Sequence, residues 1–154
     1  MSDNSTISIQ SHDFNLADEY NKLHLNNDED GAVATFCGKV RNNNLKKQVT
    51  GLYLEHYPGM TEKQLAAIIT TARERWAINR VNVIHRIGQL AVGEQIVFVG
   101  VSSKHRQDAF AACEFIMDHL KIKATFWKKE LTADGENNWL AARETDQQKA
   151  NTWK

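Results

Sequence analysis

Apolar and polar residues alternate along the chain with two periods, and the change of period separates predicted strands from predicted helices. A period of two is typical of a half-buried strand, and a dense apolar run is typical of a central strand covered on both faces. The period of two runs through Thr6–Gln10, Gly31–Arg41, Gly51–Tyr57 and Arg80–Ile87. The dense run is Gln95–Ser102, which we expect at the centre of a sheet.

Helical spacing of apolar residues predicts three helices between these strands. Asn15 is the expected cap of the first helix. Thr61 and Gln64 have the spacing of a capping box that opens the second. Ser103 is the expected cap of the third, over about 104–122. The three apolar stripes are Leu16, Tyr20 and Leu23; Leu65, Ile68, Ile69, Ala72 and Trp76; and Phe110, Cys113, Met117 and Leu120.

Polar segments separate these elements. Residues 42–49 are predicted to form a surface loop of the kind that often carries function. The remaining expectations are a turn flanked by Gly88 and Gly93, a short aromatic and basic segment at Lys123–Leu131, a turn at Asp134-Gly135, and a polar helical tail from Trp139.

The order strand-strand-helix occurs twice, over 31–78 and 80–122. Such mixed order predicts an α+β fold, with helices packed on a mostly antiparallel sheet. A chain of 154 residues has the length of one domain, so we expect a single domain over 1–154 with a polar C-terminal tail from about 141.

Composition favours an ordinary globular protein of the cytoplasm. Apolar residues make up 42% and charged residues 25%, which argues against a disordered chain. Met1–Gln10 lacks the basic start and apolar stretch of a secretory signal. The longest apolar run, Ile96–Val101, is far shorter than the roughly 20 residues that span a bilayer. Two cysteines, Cys37 and Cys113, are too few for a disulfide framework.

Charge is balanced overall but unevenly distributed. The chain has 19 basic and 19 acidic residues, which weighs against a dedicated nucleic-acid binder. Residues 37–129 contain 15 basic and seven acidic residues, a net charge of +8, whereas both ends are acidic. Either these opposite charges pair in the fold, or the middle segments build a site for an anion.

Ser103-Lys104-His105-Arg106 is an unusual start for a helix. Cations are disfavoured at a helix N-terminus, where free N–H groups carry a positive partial charge. N–H groups combined with cationic side chains would bind an anion, most naturally phosphate. The alternative is that these side chains point into solvent or pair with acidic residues elsewhere.

Two further basic groups are candidates for the same chemistry. Lys121, Lys123, Lys128 and Lys129 flank Phe126-Trp127. A lysine beside other cations can have a lowered pKa and act as a nucleophile or proton donor, and an aromatic ring could stack on a planar substrate. A solvated basic strand edge explains the same residues. Lys39 and Arg41 share one strand face and could bind phosphate or carboxylate, although a surface ion pair is the commoner outcome.

The remaining reactive residue types give weaker signals. Cys113 lies on an apolar helix stripe, and lone cysteines are most often small core residues. The histidines form no zinc motif, so no metal site is expected. No Walker A or dinucleotide-binding glycine motif is present. The histidines are His12, His24, His56, His85, His105 and His119.

Taken in order, several segments resemble the catalytic (large) subunit of molybdopterin synthase. They are Asp30-Gly31-Ala32-Val33, Phe36-Cys37-Gly38-Lys39-Val40-Arg41, Leu54-Glu55-His56-Tyr57-Pro58-Gly59-Met60, Val83-Ile84-His85-Arg86-Ile87-Gly88, Val99-Gly100-Val101-Ser102-Ser103-Lys104-His105-Arg106, Phe115-Ile116-Met117-Asp118, and Lys121 with Phe126-Trp127-Lys128-Lys129-Glu130. Together they cover about residues 30–147.

The resemblance implies an α/β-hammerhead-like fold and a sulfur-transfer reaction. This family adds two sulfurs to cyclic pyranopterin monophosphate, which gives the dithiolene of molybdopterin. The sulfur is carried as a thiocarboxylate on the C-terminal tail of a ubiquitin-like small subunit, and that tail enters a pocket of the large subunit. The large subunit forms a central homodimer with one small subunit at each end, a heterotetramer. The transfer needs no metal or organic cofactor, nucleic acid or membrane.

The resemblance also implies roles for particular residues. Lys121 and Lys128 are the expected catalytic pair. Phe36 and Met117 are expected to line the channel for the partner's tail. The expected substrate-binding residues are Lys39, Arg41, His105, Arg106 and Lys129.

Two positions depart from the family pattern. Related sequences commonly have a small, often hydroxyl-bearing residue at Cys37 and proline at Thr125. Proline restrains φ, and its absence affects the approach to Phe126-Trp127-Lys128. The alternative to an enzyme is a non-catalytic binding module for a phosphorylated pterin or a ubiquitin-like partner.

Overall fold

Two β-sheets and four helices make up the part of the chain that the computed structural model describes, namely residues 4–44, 47–124, 126–132, 138–140 and 144–153. The helices are α1 (Leu16–His24), α2 (Met60–Arg75), α3 (Arg106–Lys123) and α4 (Glu144–Asn151). The strands are β1 (Ser5–Gln10), β2 (Ala32–Lys39), β3 (Asn43–Asn44), β4 (Lys47–His56), β5 (Ile78–Arg86), β6 (Gly88–Ala91), β7 (Gln95–Ser103), β8 (Phe126–Thr132) and β9 (Asn138–Leu140).

Most strand pairs are antiparallel, as the sequence predicted. The first sheet has the order β1-β5-β7-β2, and only the pair of β1 and β5 is parallel among its described strands. The second sheet has the order β3-β4-β8-β9, with β6 also paired to β4. The predicted α+β class is therefore confirmed.

Strand β7 is the centre of the core. One side of its sheet packs against α2 and α3, and the other side carries a smaller cluster that includes Phe14, Leu23 and Phe98. A Cβ atom at Gly100 would collide with the side chain of Leu23 and crowd the Phe98 ring, so the close approach of α1 requires glycine there. Burial on both faces confirms the prediction of a central strand.

Helix α3 runs back across the strand that precedes it. Only two residues connect β7 to α3. The Cys113 thiol, near the middle of the helix, contacts the carbonyl oxygen of Val99, near the middle of the strand, at 3.6 Å. Because helix and strand run in opposite directions, the last turn of α3 lies over the first residues of β7.

The C-terminal helix is anchored on α3. The Trp153 indole N–H donates to Asp118 Oδ2 at 2.6 Å, and its ring lies edge-on to Phe115 at 5.6 Å between ring centroids. Lys149 Nζ donates to the carboxylates of Glu114 at 2.6 Å and Asp118 at 3.0 Å. These contacts place the end of the polar tail against the helical side of the first sheet.

The predicted caps of two helices were wrong. Helix α2 is capped two residues earlier than expected, by Gly59, whose N–H donates to the Glu62 carboxylate at 2.9 Å. Thr61 is buried inside the helix, where its hydroxyl donates to the Tyr57 carbonyl. Helix α3 starts after His105, and the buried hydroxyl of Ser103 donates to the Ala77 carbonyl. Both hydroxyls that the local pattern assigned to capping therefore donate to backbone carbonyls that precede them in the chain.

Three predicted loop or tail segments also differ from the structure. The loop predicted at 42–49 contains the paired residues of β3 and the start of β4, and the turn between Gly88 and Gly93 contains β6. Trp139 lies in strand β9, and the predicted helix in the polar tail begins only at Glu144. The turn predicted at Asp134-Gly135 lies outside the described residues.

A hydrogen-bonded carboxylate fixes the start of β2 against two neighbouring strands. Asp30 Oδ2 accepts hydrogen bonds from Asn27 Nδ2 at 2.7 Å, Asn79 Nδ2 at 2.8 Å and Ser102 Oγ at 2.8 Å. Partial burial opposes ionisation of this carboxyl. The three donors and the charge of Arg80 nevertheless hold its pKa below the usual value of 3.8.

Replacing this carboxylate is expected to weaken the fold in a pH-dependent way. Asp30→Ala should lower the free energy of unfolding at pH 7 by about 1–2 kcal/mol, because three donors lose their acceptor. The lowered pKa stabilises the fold above pH 3.8, and this contribution disappears as the pH falls through the folded-state value. The difference between variant and native protein in urea unfolding should therefore shrink at low pH.

Asp28→Ala is the matched control, since Asp28 is an exposed carboxylate in the same turn. An equal loss of stability in both variants would contradict the role given to the Asp30 cluster.

Candidate functional site

Four of the predicted cationic residues lie towards one end of the first sheet, which we call the lysine end. They are Lys39, Arg41, Lys121 and Lys128. Lys39 is the last residue of β2 and pairs with Gln95, the first residue of β7. Arg41 follows two residues later, and both side chains are exposed. Val40 between them is buried, with its backbone paired to Glu94 and Gly93, so the chain is held firmly at the strand end.

Helix α3 brings Lys121 to the same end. From Cys113, which contacts the middle of β7, Lys121 is eight residues further along the helix, or about 12 Å. That distance reaches the first residues of β7, where β2 ends. Met117 lies one turn before Lys121 and is half-buried against the core.

Phe36 is exposed on the edge strand of this sheet. Strand β2 is the last strand in the order, and 42% of the Phe36 side chain is open to solvent. Its position on β2 has the same parity as the core residue Ala34, which places it on the side that α3 covers. Phe36 and Met117, the two residues predicted to line a tail channel, therefore lie on the same side of the sheet.

Lys128 and Lys129 extend from opposite faces of strand β8. Lys128 pairs with the buried Leu54, so it belongs to the face of the second sheet that is turned to the core. Lys129 pairs with Tyr53 on the opposite face, because adjacent strand residues point to opposite sides. The two lysines that the sequence analysis grouped together are separated by the strand itself.

A buried histidine lies next to Lys128. His85 is 3% exposed and pairs with Val97 near the beginning of β7. Its ring stacks on Phe126, with 3.9 Å between ring centroids and an interplanar angle of 21°. Burial, together with the nearby charges of Lys128 and His56, lowers the pKa of His85 to about 3, although its hydrogen bond to the Arg86 carbonyl opposes this shift. The imidazole is therefore neutral at physiological pH.

His85 is a residue for which the sequence predicted no role. The available signal was the period of two in β5, in which His85 follows Val81 and Val83 on the face that is turned to the core. A histidine in an apolar position of a strand indicates a buried polar group with a specific partner.

His105 and Arg106 lie at the other end of the first sheet. His105 caps α3 and Arg106 is its first residue, and both are exposed. Fifteen residues of helix separate Arg106 from Lys121, about 22 Å along the axis. A single copy of the chain therefore does not bring the predicted phosphate-binding pair to the lysine end.

Neither cysteine has the environment of a reactive thiol. Burial raises the pKa of Cys113 to about 12, and Cys113 lies in the main core. Burial also raises the pKa of Cys37, which packs against the smaller cluster. A raised pKa reduces the thiolate fraction, which agrees with the structural interpretation of both residues. Thr125, the other departure from the family pattern, lies outside the described residues.

The cations of the lysine end suit an anionic ligand. Lys39, Arg41 and Lys121 are exposed, and Lys128 is half-buried. Cations at one end of a sheet raise the local concentration of anions, and lysine and arginine side chains bind phosphate or carboxylate groups directly. In the part of the chain that the structure describes, no helix has the length and apolar character needed to cross a membrane.

The chain is similar to known proteins in both sequence and structure. The chain is 56% identical over 147 residues to the molybdopterin synthase catalytic subunit of Vibrio cholerae. The matched region covers 96% of this chain and 97% of the relative. The structure matches the molybdopterin biosynthesis MoaE protein of Burkholderia ambifaria with a TM-score of 0.82 and 47% identity, over 97% of both chains.

A more distant match, with a TM-score of 0.70 and 19% identity over 90% of both chains, is a chain in the protein-protein complex of subunits 1 and 2 of molybdopterin-converting factor from Helicobacter pylori. At this identity the likeness shows the fold alone. The sequence profile of the MoaE protein family matches residues 9–123, and with the close relatives this shows that the chain belongs to the MoaE family.

Proposed function

We propose that this chain is the catalytic subunit of a molybdopterin synthase. It would convert cyclic pyranopterin monophosphate to molybdopterin with sulfur from the C-terminal thiocarboxylate of a ubiquitin-like small subunit. The observation that carries this proposal is the delivery of Lys121 by α3, and of Lys128 by β8, to the sheet end where Lys39 and Arg41 lie. Membership of the MoaE family supports the same reaction.

Lys121 and Lys128 have different environments, which suggests different roles. Lys121 is exposed and would lie beside the thiocarboxyl carbon, where its charge stabilises the negative charge that develops during transfer. Lys128 is half-buried and would orient the pterin and exchange a proton with it. Arg41 and Lys39 would hold anionic groups of the substrate. Lys129 lies on the other face of β8, so it would not reach the pocket of its own copy.

Phe36 and Met117 would guide the tail of the small subunit. Both flank the approach to Lys121 on the side of the sheet that α3 covers, and apolar side chains suit the uncharged part of an extended tail. A chain of the same fold occurs in a complex of two subunits in Helicobacter pylori, which supports a small-subunit partner here. We place the reaction in the cytoplasm.

Self-association would complete the site. His105 and Arg106 are about 22 Å from Lys121 along α3, too far to reach one small substrate. A second copy could supply its own His105 and Arg106 to the lysine end, and twofold symmetry would then create two identical pockets. This need supports a homodimer at the centre of a heterotetramer.

Loss of Lys121 is expected to abolish most of the sulfur transfer. The chain would be mixed with a thiocarboxylated small subunit and cyclic pyranopterin monophosphate, and the product followed by mass spectrometry. The native protein should add two sulfurs to the pterin. Lys121→Ala should lower the rate by about 100-fold or more, because a preorganised charge at the reacting carbonyl is removed.

Lys123→Ala is the matched control. Lys123 is an exposed lysine in the same last turn of α3, about 200° around the helix from Lys121. The control should turn over at the native rate. Native chain that binds both the pterin and the small subunit yet forms no product would contradict an enzyme and favour the binding module.

Mixing two inactive variants should restore activity if the site is shared between copies. Lys121→Ala and Arg106→Ala are each expected to be inactive alone. In a mixed dimer, one pocket combines the intact Lys121 of one copy with the intact Arg106 of the other. After unfolding and refolding together, half of the dimers are mixed, so activity should reach about a quarter of the native value.

Refolding Lys121→Ala together with Lys128→Ala provides the control. Both residues lie at the lysine end of the same copy, so each mixed dimer should contain no intact pocket. Equal recovery in the two mixtures, or none in either, would contradict the shared site.

A further inference from the structure

His85 is a buried polar residue that the proposed reaction does not use directly. It lies on the face of β5 that is turned to the helices, with Val81 and Val83 as its neighbours on that face. Its Nδ1 is 2.8 Å from the carbonyl oxygen of Arg86. A neutral imidazole must donate from Nδ1 to make this bond, so the carbonyl sets both the tautomer and the orientation of the ring.

The His85 ring forms a platform for the beginning of β8. Phe126, the first residue of β8, stacks on it with 3.9 Å between ring centroids. Phe126 and Lys128 are two residues apart and therefore point to the same face, about 7 Å from each other along the strand. The stacked Phe126 ring therefore helps to hold the start of β8, from which the Lys128 side chain extends on the same face.

The platform adds no charge to the lysine end. The groups that face His85 are Phe126 and Lys128 on β8, His56 on β4 and the carbonyl of Arg86. Burial lowers the pKa of His85 to about 3, and the interactions with Lys128 and His56 act in the same direction. A cation at this position would repel Lys128, whereas the neutral ring supports it.

We propose that His85 is a positioning residue for Lys128: its ring, oriented by the Arg86 carbonyl, holds Phe126 and thereby fixes Lys128 for the reaction. This inference rests on the proposed function, in which Lys128 orients the pterin. A lysine displaced by about 1 Å would still attract an anionic substrate, but it would lose the alignment that the chemical step requires.

The test is a double-substitution cycle in the sulfur-transfer assay with the small subunit and the pterin. His85→Asn keeps a side-chain donor for the Arg86 carbonyl and removes the stacking ring. It should lower kcat by about tenfold or more and change KM much less. In the Lys128→Ala background the same substitution should have no further effect on kcat, because the residue through which His85 acts is already absent.

Two further variants separate positioning from general weakening of the core. Phe126→Leu removes the other ring of the stack and should lower kcat in the same way. It takes the place of His85→Asn in the test if that variant does not fold. His85→Phe retains a stacked ring but loses the donor to the Arg86 carbonyl, so its kcat should lie between those of His85→Asn and the native chain. Phe14→Leu removes a buried ring on the opposite face of the sheet, where it contacts Phe98 edge-on at 5.9 Å. It should lower the melting temperature and leave kcat unchanged.

Each outcome bears on one claim. A kcat loss from His85→Asn that persists at full size in the Lys128→Ala background would overturn the positioning role, as would a folded His85→Asn variant with native kcat. If Lys128→Ala itself retains native turnover, the role given to Lys128 in the proposed function fails and the inference fails with it. Only that last result involves the single Lys128 variant, so the two failures are distinguishable.

Discussion

The antiparallel return of α3 across β7 is the constraint on which the site depends. The contact between the Cys113 thiol and the Val99 carbonyl fixes the middle of the helix over the middle of the strand. With that point fixed, the rise per residue of the helix and of the strand determines which part of β7 each end of α3 reaches. Lys121 reaches the start of β7, where Lys39 ends β2, and Arg106 stays at the far end. The connection of two residues after Ser103 requires α3 to begin beside the end of β7.

Periodicity predicted the parts of the fold that depend on local burial. The run Gln95–Ser102 identified the central strand because every position in it after Gln95 is buried on one face or the other. The helix stripe with Leu65 was also correct, since its residues pack in the core. The stripe with Cys113 was correct except for Phe110, which is 66% exposed. In the first stripe only Leu23 is buried, because Leu16 and Tyr20 are exposed. What periodicity lacks is the partner of each polar group. The Ser103 hydroxyl was predicted to cap α3, but the Ala77 carbonyl, 26 residues earlier, accepts its hydrogen bond.

The candidate site was only partly accessible to the sequence for the same reason. Basic residues could be recognised by type, but their distribution between two ends of a sheet follows from pairing and helix direction. Lys39 and His105 were placed in one pocket by family resemblance, whereas strand register sets them at opposite ends of β2 and β7. Lys128 and Lys129 are neighbours in sequence and are separated by the pleat. The period of two in β5 placed His85 on the core face, but its partners, the Phe126 ring and the Arg86 carbonyl, required the tertiary structure.

A site for anions must hold cations close together against their mutual repulsion. Here the cations come from three elements, β2, α3 and β8, so each is held by backbone that is fixed elsewhere in the core. Exposure of Lys39, Arg41 and Lys121 lets water screen their repulsion until an anion replaces it. Lys128 is half-buried and is screened less by water, so its charge is most sensitive to the charge of the side chain at position 85. A neutral imidazole meets that need: His85 fills the buried position, bonds the Arg86 carbonyl and offers a flat ring without adding a charge. An arginine or lysine in its place would retain a hydrogen bond but bury another cation beside Lys128, and an aliphatic residue would leave the carbonyl without its donor.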